Sequence, residues 1–424
     1  MRGNNLILVG GRSGSGKTTL VSALIWCFPS LYERPISCTT RSRRYDESGD
    51  EYDFISIGEF ERLHQNNEFL NIDLVYDNYY AMKTESVLDV IRHGRAPIKE
   101  IHPQNHTKIR AAFDGVTLSV LVKPSLVSES DNERILQDNA YYSSICEDNF
   151  DIVFYYDADS SPEKNAHYFH QKITALLKYS DAFPPSGEID ALNRDGYGKA
   201  ADYFTEEKRI TTRNFHELSA AFFTATFSEY VNLDSKVLEI GPGQGWLSNT
   251  VFPNCGSYTC IDISDAMANT NSTNDKVISS VRCIESKLEI YDVIVASLAD
   301  PYFYPEAICE IARILKYGGY FIFSIPSIEW ASALRSGERE HNKTSFILDS
   351  GECAEVFSFT FSSDVLESLM DSCGFQKIRL TSGTGEGLLG KEISTAITKA
   401  ADNINKSIAN LDVVTMAVFM KKGA

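Results

Sequence analysis

The chain has 424 residues and a formal net charge of −18, from 40 Lys and Arg against 58 Asp and Glu; it is 43% hydrophobic and 23% charged. That size and balance fit an ordinary globular protein of two or three domains, each large enough for its own core. The acidic excess argues against duplex nucleic acid as a partner, because a polyanion binder needs a positive contact face, and leaves small anionic ligands held in local basic pockets.

The first element is an apolar strand, Leu6 to Val9, which runs into Gly10-Gly11-Arg12-Ser13-Gly14-Ser15-Gly16-Lys17-Thr18-Thr19 and then a helical pattern carrying Leu20, Ala23, Leu24 and Cys27. A Gly-x-x-x-x-Gly-Lys-Thr run between a strand and a helix is the phosphate-binding P-loop in its expected context, and the full match disfavours a mere glycine-rich turn. Gly11, Gly14 and Gly16 permit close backbone approach, so successive N–H groups can wrap phosphates at a helix N-terminus. Lys17 then reaches the outer phosphates and the Thr18 hydroxyl is placed for Mg²⁺. The predicted ATP-binding set is Gly11, Gly14, Ser15, Gly16, Lys17, Thr18 and Thr19, with Thr18 as the metal residue.

Next come Ser37-Cys38-Thr39-Thr40-Arg41-Ser42-Arg43-Arg44 and, after a polar stretch, Tyr52-Asp53-Phe54. With the P-loop before it, this segment resembles the guanylate kinases. The likeness continues through Glu59-Phe60, Asn67-Glu68-Phe69 and Asn78-Tyr79-Tyr80, and ends with a strand at 150–154 and a helix to about Tyr179. The resemblance implies an acceptor-phosphate site of Ser37, Arg41, Arg44, Tyr52, Tyr80 and Glu100, with Lys17 and Arg134 as catalytic residues. Guanidinium forks and tyrosyl hydroxyls suit phosphate oxygens on chemical grounds as well.

The positions that read guanine in that family differ here. Asn71 stands where a glutamate is usual, Ala81-Met82 where a glycine and a small hydroxyl are, and Glu100-Ile101-His102 where Asp-Ile-Asp is. An amide in place of a carboxylate loses charge-assisted bonds worth about 1.5–3 kcal/mol each, so guanine is not the expected base. Between Pro124-Ser125 and Arg134 the chain is about a dozen residues shorter than the family's lid. Two readings follow: a phosphotransferase with altered base specificity, or an inactive module that senses a nucleotide or docks a partner.

Paired prolines and scattered glycines between residues 181 and 199, with little apolar periodicity, predict a linker. A helical pattern follows from about Ala200 to Tyr230. The strand Val237 to Ile240 then leads into Gly241-Pro242-Gly243-Gln244-Gly245, and the strand 257–261 ends in Asp262, placed for a ribose diol. The spacing is Gly-x-Gly-x-Gly, which fits a dinucleotide fingerprint less well than Gly-x-Gly-x-x-Gly would.

Further on are the strand Tyr291 to Ser297 and, after a helix, Ile314-Leu315-Lys316-Tyr317-Gly318-Gly319 leading into Tyr320 to Phe323. In order, these motifs resemble the class I S-adenosylmethionine-dependent methyltransferases. The resemblance implies cofactor binding by Glu239, Gly241, Gly243, Gly245, Asp262, Ile284, Glu285 and Ser297, with adenine near Ile284-Glu285. Asp300-Pro301-Tyr302-Phe303 reads as a helix start, with Asp300 as cap and Pro305 in the first turn, in preference to an Asp-Pro-Pro-Tyr-type motif. The segment 330–341, with Arg335, Arg339 and His341, is a substrate-covering insertion or a solvated loop, and 413–420 is the last strand.

The expected architecture is therefore α/β with two domains: a parallel-sheet nucleoside-monophosphate-kinase-like P-loop domain over 1–180 and a Rossmann-like, doubly wound methyltransferase domain over 200–424. The expected cofactors are S-adenosylmethionine, ATP and Mg²⁺, and the expected partner is a small, phosphorylated substrate. Nine scattered cysteines without paired spacing, and no apolar run of membrane-spanning length or signal-peptide form, lead to an expectation of free thiols and a cytoplasmic protein without membrane contact.

Overall fold

The computed structural model describes residues 5–43, 45, 52–75, 77–125, 141–142, 144–203, 209–250, 255–270, 275–298, 300–335, 342–348 and 350–423. The chain divides into two compact units, Met1–Leu177 and Lys178–Ala424.

The first unit holds β1 (Asn5–Gly10), β2 (Tyr32–Glu33), β3 (Ser37–Thr39), β4 (Tyr52–Phe54), β5 (Phe69–Val75), β6 (Asn78–Lys83), β7 (Ala96–Glu100), β8 (Val116–Pro124) and β9 (Ile152–Tyr156). Five of them form one sheet in the order β2-β7-β1-β8-β9, and all its pairings are parallel. Strands buried on both faces read as unbroken apolar runs, and Leu6, Ile7, Leu8 and Val9 of the central β1 are fully buried. The other four form a smaller sheet, β4-β3-β6-β5. One face of it is covered by the helix Ile57–Gln65 through Phe60 and Leu63.

The second unit holds β10 (Lys236–Ile240), β11 (Ser257–Asp262), β12 (Lys276–Ile278), β13 (Tyr291–Ser297), β14 (Leu315–Pro326), β15 (Lys343–Ile347), β16 (Cys353–Phe357), β17 (Phe375–Thr384) and β18 (Asp412–Lys421). Its main sheet runs β12-β11-β10-β13-β14-β18-β17, parallel from β12 to β14, with β18 inserted antiparallel between β14 and β17. The expected last strand is thus β18, one residue longer at each end than its apolar run. The order reverses at β10, so β10 and β13 diverge at a topological switch point, the usual place for a ligand crevice in an open α/β sheet. No helix among the described residues is long and apolar enough to cross a membrane, and the nine cysteines are not joined in disulfides.

The predicted linker 181–199 is corrected by the structure. Ser186–Ala200 is a helix of the second unit, with Ile189, Asp190, Asn193 and Gly196 buried. Its buried face is polar, and for that reason apolar periodicity missed it. Asp190 accepts from Arg282 Nε at 2.6 Å and from the Tyr304 hydroxyl at 2.8 Å, and Asn193 Oδ1 accepts from the Phe357 N–H at 2.8 Å. Gly196 is a packing residue: a Cβ there would lie 2.2 Å from the Glu355 carbonyl oxygen. The following long helix begins at Ile210, later than expected, and ends at Tyr230 as expected.

Both side chains of the Asp190–Arg282 pair are 1% exposed. Asp190→Ala leaves an uncompensated guanidinium in the core and is expected to destabilise the second unit by about 3–5 kcal/mol. Asp190→Asn, which keeps an acceptor, should cost less. Denaturant unfolding of the two variants checks the order.

Candidate functional sites

The first site begins where β1 ends. Gly14 and Gly16 have φ of 77° and 85°, a region that favours glycine, and Gly16 immediately precedes the helix Lys17–Cys27. Two glycines are also required by packing. A Cβ on Gly16 would meet the Tyr156 ring at 2.4 Å, and one on Gly11 would lie 2.5 Å from the Val122 carbonyl oxygen. The loop therefore closes over β8 and β9 and presents backbone N–H groups at a helix N-terminus, a ready anion site. Lys17 Nζ donates to the Arg12 carbonyl at 3.1 Å, across the loop. Ser15 Oγ is buried without a hydrogen-bond partner, while Thr18 and Thr19 are exposed.

The second part of this site lies on the small sheet. Strand register aligns Tyr52, Ser37, Met82 and Asn71 in one row, and Phe54, Thr39, Tyr80 and Asp73 two residues along. Side chains alternate across a sheet, so both rows share the face opposite the covering helix. There Arg41 Nε donates to the Tyr80 hydroxyl at 3.1 Å, and the guanidinium carbon is 5.3 Å from the ring centres of Tyr52 and Phe54. The Tyr52 and Tyr80 rings are 5.7 Å apart. Arg41, Tyr52 and Tyr80 are thus brought together, with Ser37 on the same face. Arg44 and Arg134 lie outside the described residues.

Glu100 is a correction. Its carboxylate is taken by Arg34, with Nη2 to Oε1 at 2.7 Å and Nε to Oε2 at 3.1 Å. An anion so engaged does not hold a phosphate. The same arginine reaches Ser22 Oγ at 3.0 Å, so the pair braces the P-loop helix. Met82 does not line an open pocket either: it is 1% exposed and packs with Leu6, Leu8, Leu70, Val87, Ile109 and Phe113. His102 is exposed; its Nδ1 accepts from the Gln104 N–H at 3.4 Å, and its ring lies 4.9 Å from that of Tyr141.

The second site sits at the carboxyl ends of β10, β11 and β13. Gly241, Gly243 and Gly245 have φ of 60°, 52° and 79°. Asp262, at the tip of β11, accepts from the Ser264 N–H at 2.9 Å and from the backbone of Gly243, so the carboxylate faces the glycine turn. Burial raises its pKa to about 6. Glu239 is 1% exposed and accepts from the Tyr258 hydroxyl and, at 3.7 Å, the Cys260 thiol; burial raises its pKa to about 7.

Beyond Asp262 lies a buried polar cluster. Tyr197, from the helix Ser186–Ala200, is partly buried and feels the charges of Asp300, Arg209 and Asp262. Tyr302 feels Asp262 and Tyr197. The Asp300 carboxyl, raised to about 6 by burial, is hydrogen-bonded by Ser358 and faces Arg335 and Arg209. Arg335 itself donates to Ser358 Oγ at 2.7 Å and to its carbonyl at 3.2 Å.

Comparison with known proteins assigns the two halves separately. Residues 2–148 match the guanylate kinase family model, and residues 210–380 match a methyltransferase domain model. The guanylate kinase of Trichormus variabilis is 38% identical over 125 residues, 29% of this chain and 62% of that protein. The chain spans about three fifths of the length of the curated relatives it matches. Among solved structures, the guanylate kinase from Anaplasma phagocytophilum is similar at 22% identity and a TM-score of 0.32, covering 42% of this chain and 86% of its own. A putative S-adenosylmethionine-dependent methyltransferase from Listeria monocytogenes is similar at 17% identity and a TM-score of 0.34, covering 48% of this chain and 100% of its own. The chain thus joins a guanylate kinase-like domain to a methyltransferase-like domain.

Within the methyltransferase domain two expectations need correction. The Ile284 backbone is already engaged: its N–H donates to Glu310 Oε1 at 3.0 Å and its carbonyl accepts from Arg313 Nη2 at 2.8 Å, which ties it to the helix Pro305–Ile314 and leaves no backbone group there to hold an adenine. Glu285 beside it is exposed. The residues that follow β12 at the crevice are Ser279 and Ser280, with the Ser279 N–H donating to the Asp262 carbonyl at 3.0 Å. Asp300 is no cap, since the helix Pro305–Ile314 is preceded by Tyr304; Pro305 does open its first turn.

Ser297 ends β13, with its hydroxyl 3.5 Å from that of Ser324. In the segment 330–341, Trp330 is buried in the helix Ile328–Leu334, and Arg339 and His341 lie outside the described residues. His216 was not singled out from sequence; it stacks at 4.2 Å on Trp246, the residue after Gly245. Tyr197 and Arg209 were missed too, because they precede every recognisable motif of the second unit.

Glu239 gives a pH test. Its ordinary pKa is 4.5 and its folded value about 7, so between these the folded state holds a proton that the unfolded state releases. Stability from this group is present at low pH and lost as pH rises through about 7. The melting-temperature advantage of Glu239→Gln over wild type should therefore grow from about pH 5 to about pH 8 in ligand-free protein. A pH-independent difference would contradict the assignment.

Proposed function

We propose that the chain is an S-adenosylmethionine-dependent methyltransferase of a small phosphorylated molecule, and that its guanylate kinase domain binds Mg·ATP and phosphorylates an acceptor other than guanosine monophosphate. The setting of that chemistry is the cytoplasm. The observation that carries the methyltransferase reading is the Asp262 carboxylate facing the Gly241 to Gly245 turn at the switch point of the sheet. Those residues fit the cofactor: glycine backbone for its amino-acid end, and a carboxylate for ribose hydroxyls.

The cofactor supplies an electrophilic methyl group when bound. The chain's own residues orient the acceptor and take up its proton. The buried Arg335 and the partly buried Arg209, both beside Asp300, supply positive charge for an anionic acceptor, and Asp300, raised to about 6, can accept a proton near neutral pH. Holding a nucleophile in line is the main requirement of the transfer.

In the guanylate kinase domain, Lys17 and the loop N–H groups would hold ATP phosphates, with the Thr18 hydroxyl toward Mg²⁺. The unpartnered Ser15 Oγ within the loop is a polar group that a bound phosphate would satisfy. Arg41, Tyr52 and Tyr80 would hold the acceptor phosphate.

Asp262→Ala should weaken S-adenosylmethionine binding by about 1.5–3 kcal/mol, the range for hydrogen bonds to a charged group, as read by calorimetry. Saturable binding of NAD, with no heat from S-adenosylmethionine, would overturn the reading. For the other domain, Lys17→Ala should abolish the melting-temperature rise that wild type shows in saturating Mg·ATP.

A further inference from the structure

On the sheet face that carries Arg41, Tyr52 and Tyr80, one buried polar atom has no partner. Asn71 is 3% exposed, and its Oδ1 is buried without a hydrogen bond. Its Nδ2 donates to Asp73 Oδ2 at 2.7 Å, and Asp73 Oδ1 accepts from Asn105 Nδ2 at 2.9 Å. An ionised carboxylate only accepts. The Asn71 amide must therefore turn its NH₂ toward Asp73, because the opposite orientation would set oxygen lone pairs against each other. Asp73, steadied by Asn105, so removes the two-way character of a free amide and commits Asn71 Oδ1 to accepting.

We propose that Asn71, oriented by Asp73 and Asn105, selects acceptor monophosphates whose base carries an exocyclic amine, adenine or cytosine, over those with a carbonyl at that position. The proposal rests on reading Arg41, Tyr52 and Tyr80 as the acceptor-phosphate site. Asn71 and Ser37 lie in the same row, separated by Met82. Two strand spacings put their backbones roughly 10 Å apart, so a base that meets both side chains lies over Met82. An amine N–H donates to Asn71 Oδ1, and the Ser37 hydroxyl can donate to the adjacent ring nitrogen. Hypoxanthine, uracil and guanine each carry a carbonyl at the matching position, and would set oxygen against oxygen at a buried acceptor that cannot turn over. A site built on buried hydrogen-bonding groups rejects such ligands strongly.

Two matched pairs isolate the effect: adenosine against inosine monophosphate, and cytidine against uridine monophosphate, each differing by an amine or a carbonyl at the reading edge. Calorimetry on the full chain should show each amine-bearing member binding about tenfold or more tightly than its partner, with guanosine monophosphate among the weak binders. Asn71→Leu should erase both preferences, because the amine-bearing members lose their acceptor and their carbonyl-bearing partners are no longer repelled. Asp73→Asn, which frees the Asn71 amide to turn, should shrink them and serves if the leucine variant does not fold.

Arg41→Ala should weaken all five monophosphates alike. If they bind and lose affinity in Arg41→Ala but show no amine preference, the phosphate site stands and this inference is overturned. A preference for guanosine monophosphate overturns it as well. If none of the five binds wild type, the acceptor-site reading itself fails and the inference falls with it.

Discussion

Both halves of this chain depend on one backbone device: a buried parallel strand that stops at glycines held at positive φ, so that backbone N–H groups are left uncovered at the turn. In the guanylate kinase domain the strand is β1, and Gly16 stands at φ 85° against the Tyr156 ring. In the methyltransferase domain it is β10, with Gly241, Gly243 and Gly245 under the Asp262 carboxylate. A side chain at these turns would strain the backbone, and at Gly16 it would also collide with the neighbouring strand. The rest of each unit serves to fix the strand: a sheet buried on both faces, with helices that supply the charged groups around its carboxyl edge.

That device is what a sequence states most openly. Glycine spacing after an apolar run needs no knowledge of tertiary packing, so the P-loop, the second glycine turn and Asp262 are legible residue by residue. Arg41, Tyr52 and Tyr80 are legible as a family resemblance, and strand register shows why they converge: Tyr52 and Tyr80 fall on one face of a sheet whose strands come from distant segments. Polar residues that act through burial are not legible in the same way. The helix Ser186–Ala200 looks like a linker because its inward face holds Asp190, Asn193 and Gly196 where apolar residues would signal a core. Ile284 looks available to a cofactor because nothing in the sequence announces that Glu310 and Arg313, one turn apart on a later helix, take both its backbone groups.

The buried ions of the methyltransferase domain follow a single rule. A charge excluded from water persists only with a partner, and otherwise its titration shifts. Asp190 and Arg282 satisfy each other, and Tyr304 completes the carboxylate. Glu239, Asp262 and Asp300 lie in or beside the crevice without a directly paired cation among the described residues, and all three titrate upward, to about 7, 6 and 6. Structural charges and crevice charges thus separate by how completely the protein itself compensates them. Incomplete compensation is where a ligand has free energy to contribute.

The same reasoning explains how the acceptor face of the guanylate kinase domain can keep its grip on phosphate while changing what else it reads. On the proposed reading phosphate recognition rests on Arg41, whose guanidinium contacts the Tyr80 hydroxyl and the rings of Tyr52 and Phe54. None of those contacts involves Asn71, Met82 or His102. Met82 is withdrawn into the core and His102 is exposed and turned back to cap its own turn, so the polar content of the base side falls to Ser37, Asn71 and Asp73. Asp73 occurs two residues along the strand from Asn71, on the same face, and it converts a neutral amide into an oriented acceptor without touching the arginine. On that reading the Arg41–Tyr80 bond and the Asn71–Asp73 bond are separate, so the base side can diverge without loss at the phosphate side.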